Sequence, residues 1–244
     1  MKKSYLIILC LGFHTYGLAK TLSSFETATW VSTLSAGFVW ANPGETQSFS
    51  LAPQIEKTYF AINSFHRMPA AAIFLGKQKT LTDRLSGQFG LEAAYAGDAE
   101  PKGQIWDDAD PIFNNYTYNY KIEHAHLALK GKLLIENSYI VIPWISAGIG
   151  VAWNHAYYFV NQPIISEALT NPDFTNRTTT SFTYNLGIGF QKGMSEHWQW
   201  GLGYEFADWG KSQLGRAPQQ ILNSGIKLNH LYTNGVLFNL SYIA

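Results

Sequence analysis

The fold of this chain is indicated most clearly by the stretch 184–209 and the residues just before it. Bulky apolar residues alternate there with small or polar residues on both sides of a short turn. Successive side chains of a β-strand point to opposite faces, so this alternation predicts an antiparallel hairpin. Glycines and amides occupy most of one face. The other face gathers the bulky apolar groups, namely Phe182, Tyr184, Leu186, Ile188 and Phe190 before the turn and Trp198, Trp200, Leu202, Tyr204 and Phe206 after it. Bulky apolar side chains on one face and glycines on the other favour a barrel wall whose outside contacts lipid.

The same pattern recurs along the chain. It predicts eight strands, at about residues 30–40, 69–79, 85–96, 116–134, 139–155, 182–191, 198–206 and 228–243. Four long connections (41–68, 97–115, 156–177 and 210–227) alternate with three short turns. An even strand number with long outer loops and short periplasmic turns is typical of transmembrane barrels. We predict an all-β fold: a membrane-spanning, antiparallel, up-and-down eight-stranded β-barrel.

Aromatic residues on the predicted outer face indicate where the membrane surfaces lie. Trp30 and Trp40 are ten residues apart on one face of the first strand. At about 3.3 Å per residue and roughly 40° of tilt, they are about 25 Å apart in height, which matches an outer-membrane apolar band. We assign to the aromatic girdles Trp30, Trp40, Tyr95, Trp153, Trp198, Trp200, Phe206 and Tyr242.

The segment 137–154 carries no charge and could also be interpreted as a transmembrane helix. Pro143, Gly148 and Gly150 lie within it, and valine and isoleucine replace leucine. These residues disfavour a helix and are common in strands. The strand interpretation is therefore preferred.

The N-terminus has the pattern of a secretory signal peptide over residues 1–19. Lys2 and Lys3 precede a short apolar stretch, and Gly17 and Ala19 place cleavage before Lys20. The barrel domain is then 20–244. The only cysteine, Cys10, lies in the leader, so no disulfide is expected in the exported chain. With 17 basic and 17 acidic residues, the chain has no basic excess for nucleic acid.

Polar residues on the predicted inner face form the main candidate site. An eight-stranded barrel is filled by its own side chains, and charges buried there must pair. We predict a structural polar network of Gln88, Glu92, His124, His126, Lys130 and Glu205. A gated ion path through this network is the alternative interpretation.

Two motifs could hold a metal ion. His124 and His126 share one strand face and could bind zinc with a third ligand, although an interior hydrogen-bond network is favoured. Asp107, Asp108 and Asp110 could bind calcium, but they lack the spacing of a calcium loop and are interpreted as a solvated acidic tip. We therefore assign no metal, cofactor or catalytic residue.

Three glycine-rich strand segments carry a family resemblance: 145–150 (ISAGIG), 184–189 (YNLGIG) and 201–206 (GLGYEF). They resemble eight-stranded outer-membrane barrels of the OmpA type and the opacity-type surface proteins. The resemblance implies a bacterial outer-membrane location among lipid and lipopolysaccharide. It also implies assembly by the barrel-assembly machinery through the C-terminal strand. Family members usually end in an aromatic residue, whereas this chain ends in Ala244.

These features lead us to expect a non-enzymatic envelope protein whose outer loops contact a host surface or ligand. A narrow pore for small solutes or ions is the alternative. A lipid-modifying enzyme is less favoured. Lipid A deacylase barrels, which are of similar size, use a His-x-Ser pair, and His126 stands here at the serine position.

Overall fold

The computed structural model describes residues 28–136, 140–166 and 171–244. The predicted leader, its cleavage site and the start of the predicted fifth strand lie outside these residues. The described residues form thirteen strands: β1 (Thr29–Ala41), β2 (Gln47–Ala52), β3 (Ile55–Ala61), β4 (His66–Thr82), β5 (Leu85–Ala99), β6 (Lys102–Asp107), β7 (Asn114–Ile135), β8 (Ile142–Pro163), β9 (Arg177–Gly193), β10 (Trp198–Asp208), β11 (Ser212–Gln213), β12 (Lys227–Leu228) and β13 (Tyr232–Ile243). A short 3₁₀ turn at Pro111–Phe113 precedes β7.

Eight of these strands close into a ring. The order is β1-β4-β5-β7-β8-β9-β10-β13, and β13 returns to pair with β1. Every neighbouring pair is antiparallel, as the alternation along the sequence predicts. The predicted eight-stranded up-and-down barrel is confirmed.

The stagger of the ring fixes the tilt of its strands. Pairing partners followed from Ala36 through β4, β5, β7 and β8 lead to Thr180 on β9. Followed the other way, through β13 and β10, they lead to Phe190, ten residues further along β9. A stagger of this size in eight strands corresponds to a tilt of about 40°. The ring is therefore narrow and is filled by side chains.

Two strands rise well beyond the membrane. Strands β7 and β8 each have 22 residues. At about 3.3 Å per residue and about 40° of tilt they rise about 55 Å, roughly twice the height of the apolar band. Strands β6, β3 and β2 add to the upper part of β7 in that order. The outer end of the barrel thus carries an additional sheet.

The predicted extent of the long connections was wrong at several points, one of which is strand β6 (Lys102–Asp107) within the predicted loop 97–115. Residues 156–163 belong to strand β8, because inward-facing Ala156 and Phe159 continue its buried face. The first connection, predicted as a loop over 41–68, contains the β2–β3 hairpin. Both segments are stabilised by an apolar core that lies outside the membrane band.

This outer core fills the mouth of the barrel. Aromatic side chains from β3, β7 and β8 pack together, including Tyr59, Tyr118 and Phe159. The connection between β10 and β13 folds down onto them and buries Leu214, Ile226 and Leu228. The barrel is therefore covered at its outer end.

Candidate functional site

The lower part of the ring has an apolar outer wall. Leu75, Leu91, Leu129, Ile149 and Ile188 are about half exposed, although they lie in the middle of regular strands. Such exposure is costly in water and favourable against lipid tails, so this wall is that of a membrane-spanning barrel. All eight predicted girdle residues lie on the outer face: Trp30, Trp198, Trp200 and Tyr242 near the lower end, and Trp40, Tyr95, Trp153 and Phe206 near the upper end.

A three-residue ion cluster lies at mid-height inside the ring. The Lys130 ammonium contacts Glu92 Oε2 and Glu205 Oε2, each at 2.6 Å. Asn185 Nδ2 donates to the second Glu92 oxygen at 2.8 Å. Because Lys130 bridges carboxylates on two different strands, it ties opposite sides of the wall together. The sequence predicted these three residues as members of a paired interior network, and the structure places them in direct contact.

Below the cluster, a tryptophan and a second lysine form a floor. Trp144 is buried and points inward, and Lys132 Nζ lies 4.5 Å from its ring centroid. Lys132 also donates to Gln191 Oε1 at 2.6 Å. The Trp144 ring is accommodated because Gly189 and Gly203 have no side chain, and a Cβ there would approach it to 2.6 and 2.5 Å.

The space left between the cluster and the floor is small. Gln88 lines it and donates to Gln78 Oε1 at 2.7 Å. The cavity measures about 40 Å³, which is room for roughly two or three water molecules. Two acidic residues (Glu92 and Glu205) and two lysines (Lys130 and Lys132) line it.

Above the cluster, the two predicted histidines pack beneath a tryptophan. Trp209 is buried, with its ring 4.6 Å from that of His126 and 5.6 Å from that of His124. His124 Nδ1 is 3.1 Å from Asn154 Oδ1, while the Asn154 amide donates to the Trp209 carbonyl at 2.7 Å. His126 Nε2 lies 3.6 Å from Glu92 Oε1, which is beyond hydrogen-bond length. This layer closes the space above the cluster.

The outer core contains tyrosine hydroxyls that are held neutral. Burial raises the pKa of Tyr59, Tyr118 and Tyr120 well above the ordinary value for tyrosine. Nearby, partial burial and a hydrogen bond donated to Asp98 raise the pKa of Tyr157 to about 12. Ionisation of these groups would therefore oppose the packing of the outer half.

The acidic segment of the second connection is more ordered than the sequence suggests. Asp107 pairs with the buried Lys57 ammonium at 2.7 Å and accepts from Asn115 Nδ2 at 2.7 Å. Asp110 accepts from the Ile112 backbone N–H at 2.9 Å. The interpretation as a solvated tip was wrong for Asp107, because strand pairing brings Lys57 of β3 and Asn115 of β7 to its carboxylate.

A carboxylate–imidazole pair at the outer girdle was missed in the sequence. His230 Nδ1 donates to Asp208 Oδ2 at 2.8 Å, and its ring stacks on Tyr232. Asp208 is buried, whereas the His230 side chain is 56% exposed. Among the described residues no hydroxyl or thiol is hydrogen-bonded to His230. Only the pairing of the strands brings the two side chains together.

No three His, Cys, Asp or Glu side chains among residues 28–136, 140–166 and 171–244 are grouped as a metal site requires. No helix in the part of the chain that the structure describes is long and apolar enough to cross a membrane.

Comparison with known proteins finds similarity in fold alone. No protein-family model matches the sequence, and no curated protein matches it. Among solved structures, Neisserial surface protein A is 10% identical with a TM-score of 0.49, and the match covers 89% of this chain and 99% of that chain. The outer membrane protein OprG from Pseudomonas aeruginosa is 12% identical with a TM-score of 0.44, covering 89% and 97%. The outer membrane protease OmpT from Escherichia coli is 7% identical with a TM-score of 0.46, covering 88% and 97%. The closed eight-stranded ring itself confirms the architecture that the sequence resemblance implied.

Proposed function

We propose that the protein is a non-enzymatic outer-membrane barrel that is closed to solutes and presents a rigid surface outside the cell. The observation that carries this proposal is the sealing of the interior at successive heights. The Trp144 floor, the Lys130 ion cluster and the Trp209 layer each fill the ring. The outer core then covers the mouth. A wall of this kind serves to hold the outer sheet at the cell surface.

The outer half supports a role in contact. Loops that carry binding specificity work best when a rigid scaffold positions them. Here the β2–β3 hairpin, β6 and the connection between β10 and β13 share one apolar core, so their exposed faces are fixed relative to one another. A host surface or another external ligand is the partner class that such a platform would serve.

A narrow pore is the alternative that the sequence left open. Passage through this barrel would require Lys130 to release both Glu92 and Glu205, and Trp209 to leave the space above them. Removing a partner from a buried pair costs about 3–5 kcal/mol. A resting conductance is therefore not expected.

The test is conductance of the refolded full-length mature chain in planar lipid bilayers. We expect no single-channel steps across a range of voltages and salt concentrations, with a general porin measured in parallel as a positive control. Reproducible steps from protein that also shows the heat-modifiable gel migration of a folded barrel would overturn the proposal in favour of the pore.

A further inference from the structure

The outer surface carries a polar cleft at the seam between β2 and the connection that joins β10 to β13. Its volume is about 580 Å³, which is within the usual range of ligand sites. One wall is formed by Glu45, Gln47 and Phe49, and the other by Gln213, Arg216 and Lys227. We propose that this cleft, which we call the seam cleft, binds an acidic saccharide. This inference rests on the proposed function and names the ligand class of its outer surface.

The seam cleft has a fixed floor. Leu214, Ile226 and Leu228 are almost fully buried directly beneath it and belong to the outer core. The Leu214 N–H donates to the Ile226 carbonyl at 3.0 Å, which holds the two sides of the connection together. A site that is ordered before binding loses less entropy when the ligand arrives.

The two walls are joined by a side chain in place of a strand pairing. Gln47 Nε2 donates to the Lys227 carbonyl at 2.7 Å, and Gln47 Oε1 accepts from the Lys227 N–H at 3.1 Å. The amide of Gln47 thus bonds to both backbone polar groups of Lys227, as a peptide group of a neighbouring strand would. This bridge keeps the cleft open at a constant width.

Two cations of the seam cleft have no carboxylate partner in the described part of the chain. Arg216 Nε donates to the Asn223 carbonyl at 2.6 Å, which orients the guanidinium and leaves its two terminal nitrogens without a described acceptor. The Lys227 ammonium forms no ion pair with a described residue, and its backbone is held by Gln47. Arg177, whose guanidinium donates to Ser224 Oγ at 3.3 Å, adds a third positive charge beside the cleft.

The one carboxylate of the seam cleft is already satisfied. Glu45 accepts from the Asn229 N–H at 3.0 Å and from Asn229 Nδ2 at 2.7 Å, so each carboxylate oxygen is occupied. The single negative charge of Glu45 is outnumbered by the charges of Arg216 and Lys227, so a bound anion still meets a net positive charge. The guanidinium is suited to carboxylate, sulfate or phosphate groups, because its donors form a planar fork.

The rest of the lining favours a sugar over a simple anion. Side-chain amides and a hydroxyl of Gln213, Asn223 and Ser224 can exchange hydrogen bonds with sugar hydroxyls. The Phe49 ring, held by stacking on Tyr59 at 5.0 Å, offers an apolar surface for the C–H face of a sugar ring. The combination of amides, one aromatic ring and free cations fits a saccharide that carries acidic groups.

The test is calorimetric titration of the refolded mature chain in uncharged phosphatidylcholine nanodiscs. The probes are tetragalacturonate, which carries carboxylates, and maltotetraose, a neutral chain of equal length. We expect tetragalacturonate to bind and maltotetraose to bind at least about tenfold more weakly, because charge-assisted hydrogen bonds are lost.

Matched variants locate the site. Arg216→Gln and Lys227→Gln are each expected to weaken tetragalacturonate binding about tenfold. Lys211→Gln removes one charge from the same connection but lies outside the cleft, and it should leave binding unchanged. Heat-modifiable migration on gels verifies that every variant is folded.

Two further probes distinguish the sources of an acidic sugar. Tighter binding of a lipopolysaccharide core oligosaccharide would identify the bacterium's own envelope, and tighter binding of a chondroitin sulfate tetrasaccharide would identify a host surface. Failure of all acidic probes to bind, or equal weakening by Lys211→Gln and Arg216→Gln, would overturn this inference. Neither result bears on the closed barrel, which only channel conductance would contradict.

Discussion

Strand β7 runs through two regions of the molecule in which the apolar side chains face in opposite directions. In its upper part Tyr118 and Tyr120 face the interior, while Thr117 and Asn119 face outward. In its lower part the inward positions hold polar groups that include His126 and Lys130, whereas Leu127, Leu129 and Leu133 face outward. The phase of the alternation is the same throughout. What changes is the solvent outside the wall.

The two regions show that an inward-facing position does not by itself indicate an apolar core. Where the wall meets water, the apolar face turns inward and forms the tyrosine-rich outer core. Where the wall meets lipid, the apolar face turns outward and the interior is held by hydrogen bonds and ion pairs. The point on β7 where the polarity reverses, between Glu123 and Ala125, marks the outer surface of the membrane.

The largest effect is expected in the lower region, where stability depends on charge pairing. Lys130→Met leaves Glu92 and Glu205 without their shared cation. Breaking a buried ion pair costs about 3–5 kcal/mol. We expect a loss of that order in the free energy of unfolding, measured by urea titration in detergent micelles with intrinsic fluorescence.

The matched control replaces the whole cluster. Lys130→Met combined with Glu92→Gln and Glu205→Gln removes all three charges and should recover most of the lost stability, since buried ion pairs can be replaced at little cost. Equal instability of the single and triple variants would contradict the assignment of the loss to unpaired carboxylates.

A second prediction compares the lipid-facing and the water-facing parts of the outer surface of β7. Leu129 and Asn119 both face outward, but Leu129 lies at mid-height in the apolar band and Asn119 above it. Arginine on the lipid face near the bilayer centre costs about 2–4 kcal/mol. Leu129→Arg should therefore lower stability by about this amount in lipid vesicles, while Asn119→Arg should change it little. Comparable losses of stability in reversible urea unfolding would contradict the placement of Leu129 against lipid and Asn119 in water.

A smaller effect should appear in the upper region at alkaline pH. The pKa values of Tyr59, Tyr118 and Tyr120 are raised by burial above the value of about 10 expected in an unfolded chain. Their contribution to stability is complete below about pH 10 and is lost as the pH rises toward the folded values. The outer half should become protease-sensitive in that range, before heat-modifiable migration is lost.

Tyr120→Phe provides the control for this transition, because it removes one buried hydroxyl and keeps the ring. The outer half of this variant should become protease-sensitive only at a higher pH. Tyrosinate absorbance is the second readout: if every tyrosine ionised with a single midpoint near pH 10, the outer core would not be burying these hydroxyls.

The sequence was sufficient to predict the ring because its information is local. Alternation at period two assigned Leu129 and Trp153 to the outer face and Glu92 and Glu205 to the inner face without knowledge of their partners. Trp144 could have been found in the same way, since it shares the phase of Ser146 and Gly148. The reversal of polarity along β7 was also present in the sequence, with its tyrosines on the histidine face.

The remaining features depend on contacts between distant segments. Gln47 and Lys227 are 180 residues apart, and Lys57 meets Asp107 only through the pairing of β3 with β6. Periodicity shows the face on which a residue lies but not the residue opposite it. For this reason the seam cleft and the Asp208–His230 pair could not be predicted, whereas the wall could.

Strand β7 crosses from lipid into water while the same set of residues faces inward throughout. The most direct measurement is electron paramagnetic resonance power saturation of a nitroxide attached at Leu129→Cys or at Asn119→Cys, in a mature chain that lacks native cysteine once the predicted leader is removed. We predict relaxation by lipid-soluble oxygen at position 129 and by a water-soluble nickel complex at position 119. Relaxation of both positions by the same reagent would contradict this prediction.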